Sequence, residues 1–334
     1  MSAQLWTDRA REHPLECDHC HYPIPGDPEE SDDGRYCSIA CREAAADEST
    51  LPDPEAYKRF VTGVEPIDSL VPNGVPADSF LLLSGDEGTR RAELGTELVW
   101  RALERGEPAV VVSFANPPTA TLERFYGNGW NVLPALENDR LRIIDCFTHR
   151  LDDRDEFREH RTDWATFVGE AAGDAIVAVR DPSDRREVAN TLHRALDDLE
   201  MTETGLVTID SLDELESLLQ EQLVHDFIKD VRATVCKARF VPIVAAATTA
   251  GQNGYPEEEY VFDGIVDLRL TDHLVADTRL KQLAVRKLIG GEVLPQWVTY
   301  EHEPARGLFA FGPNTDPQQV YDLGNASPRA NGPR

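Results

Sequence analysis

Four of the six cysteines in this 334-residue chain fall in one short segment, as Cys17-Asp18-His19-Cys20 and Cys37-Ser38-Ile39-Ala40-Cys41. The spacing is C-x2-C-x16-C-x3-C. Two short chelating turns joined by a loop can present four thiolates tetrahedrally, the donor set of a closed structural Zn2+ site. A pair of disulfides is the competing use of these residues, which a reducing compartment disfavours. His19 and His21 are alternative ligands beside the thiolates. With four protein ligands no coordination position stays open for a substrate, so the expected role of the metal is structural.

A second constellation is defined by what it lacks. Leu83-Ser84-Gly85-Asp86-Glu87-Gly88-Thr89-Arg90-Arg91-Ala92 lies between an apolar run and a helical pattern, where a phosphate loop of the form G-x-x-x-x-G-K-[ST] would sit. In such a loop glycine lets backbone N–H groups close on phosphate, lysine reaches the β and γ oxygens, and the hydroxyl holds Mg2+. Counted from Gly85, those three positions are Arg90, Arg91 and Ala92. Gly85, Gly88, Thr89 and Arg91 remain as the residues that would meet a nucleotide. Arg91 keeps the charge, but its planar fork and longer stem do not match a pocket built for an ammonium. Weak anion binding at the helix N-terminus would survive. Farther on, Val207-Thr208-Ile209-Asp210-Ser211 carries a carboxylate to the end of an apolar strand. Asp210 there serves either as a Mg2+ contact at the C-terminal edge of a sheet or as a cap for the next helix.

These residues need an α/β scaffold, and the pattern supplies one. Strand-like runs cover 80–84, 109–114, 141–145, 175–179, 205–210 and 241–247, most of them separated by helical patterns, which argues a parallel sheet covered on both faces. A second set at 264–270, 278–285 and 297–302 reads as antiparallel strands that close the sheet. The expected organisation is a four-cysteine zinc module at 12–48, a linker at 49–57, a core at 58–312 and a tail at 313–334 rich in Pro, Asn, Gln and Arg. Within the module a turn-rich loop leads to a short strand before Cys37, and 40–47 reads as a helix carrying the last ligand.

Several of these motifs together resemble a known family. Thr62-Gly63-Val64-Glu65-Pro66-Ile67-Asp68-Ser69-Leu70, Asn73-Gly74-Val75-Pro76, Leu83-Ser84-Gly85, Val112-Ser113-Phe114, Gly129-Trp130-Asn131, Ile209-Asp210-Ser211-Leu212, Asp263-Gly264-Ile265-Val266 and Gly307-Leu308-Phe309 follow in order. They resemble the KaiC-like branch of the RecA-superfamily ATPases. The resemblance spans residues 60–312 and implies a RecA-like P-loop NTPase fold, with Asp210 at the Walker B position contacting Mg2+ when nucleotide is present. The four-cysteine segment is similar to small treble-clef-like zinc modules, which serve protein contact, nucleic-acid contact or metal handling.

The chain also departs from that family. Where the resemblance implies an acidic pair after Ser113-Phe114, with a glutamate activating water, the sequence has Ala115-Asn116. The late K-x-R element reads Lys287-Leu288-Ile289, so the arginine that would reach a neighbour's phosphate is missing. With the loop lysine and hydroxyl also gone, the expectation is no ATPase activity by the family's mechanism and doubtful binding of ATP and Mg2+. The expected function is therefore a regulatory or scaffold pseudo-ATPase whose zinc module contacts a partner, in signalling or transcriptional regulation. An ATPase using a non-standard loop and a DNA-binding recombination accessory protein are the alternatives.

Composition narrows the setting. There are 61 acidic against 33 basic residues, a net charge of −28, and lysine occurs only at Lys58, Lys229, Lys237, Lys281 and Lys287. Such a lysine-poor acidic surface resembles proteins of salt-loving archaea. At molar salt the Debye length is about 3 Å, so net charge neither supports nor excludes nucleic acid as a partner. No apolar run is long enough to span a membrane, and no secretory signal opens the chain, so a cytoplasmic protein is expected. The partner is expected to be another protein or a second copy. Cys146 and Cys236 are expected to be packed thiols, and His193 and His225 ordinary helical residues. The charged run 150–161 needs no special role, and the polar loop 251–259 is a candidate contact surface.

Overall fold

Residues of each strand alternate between the two faces of a sheet, and the unbroken apolar runs are explained by a sheet covered on both. In the computed structural model Leu81 and Leu83 join one buried cluster while Phe80 and Leu82 join the other; Ala109 and Val111 separate from Val110 and Val112 in the same way. The structure describes residues 15–20, 24, 26–46, 59–151, 162–248, 259–275 and 278–311. His21, the linker 49–57, the tail 313–334, most of 251–259 and the run 152–161 lie outside the described residues. The chain divides into two compact units, Met1–Lys58 and Arg59–Arg334.

In the first unit, β1 (Glu29–Ser31) and β2 (Gly34–Tyr36) form an antiparallel hairpin, and α1 (Ile39–Ala46) follows with Cys41 in its first turns. Among the described residues of this unit the buried ones are few: Cys17, Ile24 and Tyr36, with the other three cysteines packed against them.

In the second unit the short pair β3 (Arg59–Phe60) and β4 (Val75–Pro76) precedes the main sheet. Its strands are β5 (Phe80–Gly85), β6 (Ala109–Ser113), β7 (Leu141–Asp145), β8 (Ile176–Ala178), β9 (Leu206–Asp210), β10 (Ile243–Thr248), β11 (Gly264–Val275), β12 (Thr278–Leu288), β13 (Val298–Glu303) and β14 (Gly307–Ala310). They lie in the order β14-β13-β12-β11-β5-β10-β9-β6-β7-β8. The central sheet is mostly parallel, with helices on both faces, the RecA-like arrangement expected. One detail is corrected: β11, expected to be antiparallel, pairs parallel with β5, and reversal begins only at β12. The strand β14 was legible only as the closing Gly-Leu-Phe motif. The helices that matter below are α2 (Arg91–Glu104), α3 (Pro118–Gly127), α4 (Asp163–Ala172), α5 (Arg185–Asp198), α6 (Leu212–Leu218) and α7 (Glu221–Val231).

Two buried carboxylates tie distant segments together. Asp263 accepts hydrogen bonds from Phe80 N (3.0 Å), from Arg232 Nε (3.0 Å) and from Arg232 Nη2 (2.6 Å), and Lys237 stands 3.3 Å away. Burial pushes its pKa up, but the Arg232 fork, the Phe80 N–H and Lys237 outweigh this and hold it below the usual aspartate value. Glu97 on α2 accepts from Leu308 N (2.7 Å) and Arg101 (3.0 Å). There burial prevails, and the carboxyl is pushed above the ordinary glutamate value. Gly307, at φ +88°, is required beside it, since a Cβ would fall 2.1 Å from Glu97 Oε1.

Cys146 and Cys236 are fully buried, and burial pushes both thiols far up. His193 meets Thr234 Oγ1 at 3.1 Å, and His225 is buried in α7.

Candidate functional site

The loop after β5 joins that strand to α2 through two left-handed residues. Gly88 has φ +84°, and Arg90, at the position of the motif's second glycine, also adopts a left-handed conformation at φ +63° as the N-cap of α2. That conformation costs a non-glycine residue roughly 1–2 kcal/mol, so the surroundings must impose it. Two contacts do so. Thr89 is fully buried and turns its hydroxyl inward to Asp86 O at 2.6 Å, and the Tyr300 hydroxyl of β13 donates to Thr89 O. Gly85 leaves room for this packing, since a Cβ there would lie 2.9 Å from Leu268 Cβ. The first N–H groups of α2 have no intrahelical acceptor, as at any helix start.

Arg91 does not point out to a ligand. Its guanidinium bends back, with Nη1 donating to Gly85 O at 3.3 Å and Nη2 3.6 Å from Asp213 Oδ2. Asp213, in the first turn of α6, also accepts from Thr248 N and Oγ1 at the end of β10. The neighbouring arginine, Arg90, pairs with Glu93.

Asp210 ends β9 at the C-terminal edge of the parallel strands, next to Ser113 of β6. The alternative in which it caps the following helix does not hold, because Ser211 is the N-cap residue and its side chain makes no cap bond. Instead Asp210 Oδ2 receives Arg124 Nη1 of α3 at 3.1 Å and Asn116 Nδ2 at 3.5 Å. The two side chains of the ion pair are each 22% exposed. Behind it, a cavity of about 30 Å³ lined mainly by apolar side chains opens between α2 and the sheet, with Arg91 and Arg124 on its rim. A void of this size holds about one water. Sequence reasoning missed Arg124 and Asp213: an arginine on a helix has no sequence signal for a carboxylate 86 residues away.

In the first unit, the Sγ atoms of Cys17, Cys20, Cys37 and Cys41 lie within 4.8 Å of one another. Cys20 and Cys37 are 3.6 Å apart, and Cys37 and Cys41 3.5 Å. A tetrahedral four-thiolate zinc site with bonds of about 2.3 Å has S···S edges of about 3.8 Å, so the donors fit the ion with small adjustment. His19 is not part of the cluster. Burial pushes the Cys17 thiol up, but the N–H groups of Cys20, Cys37 and His19 outweigh it and bring it down to about 6, towards the thiolate a metal requires. Asp18 and Arg35 close the module by exchanging backbone and carboxylate hydrogen bonds, Asp18 N to Arg35 O at 2.9 Å and Arg35 N to Asp18 Oδ2 at 2.7 Å. Among the described residues no helix is long and apolar enough to cross a membrane.

Comparison with known proteins agrees with this architecture. A UPF0273 protein of Thermotoga maritima is 29% identical over 237 residues, covering 70% of this chain and 88% of that protein. A UPF0273 protein of Methanopyrus kandleri is 24% identical over 269 residues, covering 80% and 95%. The crystal structure of a KaiC-like protein from Pyrococcus horikoshii superposes with a TM-score of 0.59 at 16% identity, over 77% of this chain and 100% of that one, a likeness of fold alone. The sequence profile described as "ATPase: KaiC" matches residues 60–308. With the phosphate-loop fold, the strand-end Asp210 and the ordered motifs lying inside that span, this chain belongs to the KaiC ATPase family.

Proposed function

We propose that the chain is a non-catalytic member of its family, a pseudo-ATPase that keeps the RecA-like architecture for regulation or scaffolding and uses its four-cysteine zinc module to contact a partner. Signalling or transcriptional control is the setting this reading favours. The observation that carries it is the Arg124 guanidinium on the Asp210 carboxylate, with the Asn116 amide on the same oxygen. Mg2+ would need that oxygen, and a protein cation already neutralises it.

Three further features act in the same direction. Arg91 is drawn to Gly85 O and Asp213, Ala92 offers no hydroxyl, and Ala115-Asn116 offers no carboxylate to activate water. Hydrolysis depends on electrostatic stabilisation of the transferring phosphoryl group, in which one supplied arginine is worth about 10³ to 10⁵ in rate. Losing several such groups leaves no route by the family's mechanism. The degenerate loop, a haloarchaeal and cytoplasmic setting, and assembly with another protein or a second copy belong to the same proposal; the lysine-poor acidic composition supports the haloarchaeal part of it.

Calorimetry with Mg2+-ATP in molar KCl, on zinc-replete protein with Asp210→Ala as control, tests it. The expected result is no binding at millimolar ligand and no phosphate release. Tight binding or turnover that Asp210→Ala abolishes would overturn it in favour of a working nucleotide site built around Arg91, the reading that family membership favours. A zinc module that contacts DNA instead would show as a specific gel shift persisting in molar salt and abolished by Cys37→Ser.

A further inference from the structure

Most arginines described here meet a carboxylate: Arg101 meets Glu97 and Glu104, Arg150 meets Glu214, Arg185 meets Asp230. In a chain with 61 acidic and 33 basic residues that is the expected outcome. Arg180 and Arg194 are among the arginines that meet none, as are Arg140, which meets Leu103 O, and Arg269, which meets Gln282 Oε1, but Arg180 and Arg194 lie together. The Arg180 guanidinium has no hydrogen bond or ion pair among the described residues, only its backbone N–H being engaged. Arg194 reaches Asn190 O at 3.3 Å and Thr191 Oγ1 at 3.2 Å, and no carboxylate. Both are exposed, and both line one cavity of about 420 Å³ with Val177, Ala178, Glu187 and Thr191.

That cavity runs along an open sheet edge. β8 is the last strand of the sheet and pairs, among the described residues, only with β7. Val179 N donates to Asp145 O at 3.0 Å. Peptide groups alternate in direction along a strand, so Val177 and Val179 face β7 while Ala178 turns its N–H and C=O outward. Ala178 is exposed. The opposite wall is the face of α5 that carries Glu187, Thr191 and Arg194. Glu187 makes no ion pair with either arginine: its two oxygens accept Arg180 N (2.9 Å) and Asp181 N (3.3 Å), which fixes the chain where it leaves β8 and leaves the lining with two positive charges against one negative.

We propose that this groove binds an extended acidic segment of a partner protein, which adds as one more strand beyond β8 and sets its carboxylates against Arg180 and Arg194. The outward peptide group of Ala178 supplies backbone pairing and hence register, as in other cases of strand addition. The two guanidiniums, neither in an ion pair among the described residues, supply selectivity, because their forked donors match a carboxylate. A neutral segment would gain the backbone bonds alone. The site lies apart from Asp210 and does not depend on whether nucleotide is bound there.

The test uses the full-length zinc-replete protein and two fluorescein-labelled peptides, one alternating Val and Glu, the other alternating Val and Gln, followed by anisotropy. Salt is set to the lowest KCl at which the circular dichroism of the protein is unchanged, since exposed pairs are screened within a Debye length. The Glu peptide is expected to bind more tightly than the Gln peptide by about tenfold, the scale of two exposed ion pairs. The double variant Arg180→Glu, Arg194→Glu should erase that preference. Ala178→Pro, tolerated at an edge position whose N–H faces outward, should weaken the Glu peptide by a similar factor without moving the thermal midpoint. Equal affinity for the two peptides, or no binding, would overturn the proposal. Binding indifferent to Ala178→Pro would also overturn it, leaving a plain anion site without strand addition.

Discussion

Arg124→Ala removes the cation that stands on Asp210 and leaves the rest of the loop untouched. The pair is 3.1 Å apart with each side chain 22% exposed. At an effective dielectric of about 20, Coulomb attraction at that distance is about 5 kcal/mol before desolvation, whereas measured exposed pairs retain up to about 1 kcal/mol. A partly buried pair falls between these limits, near the lower one once desolvation and salt are counted. A divalent cation entering at Asp210 must break the pair, so its removal should raise Mn2+ affinity by about tenfold, equivalent to about 1.4 kcal/mol. Truncation also enlarges the cavity behind it, giving the ion's water shell room. Electron paramagnetic resonance of free Mn2+ in the titrated, zinc-replete protein reads this directly. Arg124→Lys should stay near the wild type, and Arg124→Ala combined with Asp210→Asn should return to it. Equal Mn2+ affinity in wild type and Arg124→Ala would refute the argument that the ion pair holds the metal position.

Three other outcomes follow from the buried groups. Asp263→Asn should cost about 3 kcal/mol in chemical denaturation at neutral pH, the low end for breaking a buried pair because Arg232 and Lys237 are about one-third exposed. Since the Asp263 pKa is held down in the fold, its stabilisation is complete above the unfolded value of about 3.9 and is lost as pH falls through the folded value; the gap between wild type and variant should therefore close in acid, and a widening gap would contradict the assignment. Gly307→Ala places a methyl group 2.1 Å from Glu97 Oε1 at φ +88°, and a loss of at least about 2 kcal/mol in thermal unfolding is expected. Chelation of zinc, or Cys37→Ser, should erase hydrogen-exchange protection at Asp18 N, which closes the first unit onto Arg35 O; unchanged protection would mean that the metal is not the folding energy of that unit.

The strands at Phe80, Ala109, Leu141 and Leu206 were legible because burial on both faces demands unbroken apolar runs, a signal local to each segment. The placement of Asp210 and Gly85 at strand ends was legible because each closes an apolar run that a helical pattern follows. The direction of β11 was not, since Gly264–Leu270 reads the same whether its neighbour runs parallel or antiparallel. The Arg124–Asp210 and Arg91–Asp213 pairs were hidden for a different reason. Each joins side chains whose meeting depends on strand order in space, and neither arginine carries a local mark of its partner.

The left-handed loop is held from far along the chain: the Tyr300 hydroxyl secures Thr89, and the Leu308 N–H answers Glu97. Both links join residues 211 positions apart. During synthesis, α2 therefore emerges from the ribosome long before the groups that seat its first turn and satisfy its buried carboxylate. Until β13 and β14 dock, Glu97 has Arg101 and Glu104 as neighbours and no backbone donor, and of the two contacts that impose the strained geometry at Arg90 only the local one, Thr89 Oγ1 to Asp86 O, can form. Contacts of such separation form late and slowly. A nascent or truncated chain ending before Tyr300 would hold the parallel strands without the finished loop, and ordering of that loop would report that translation had run almost to the end of the core.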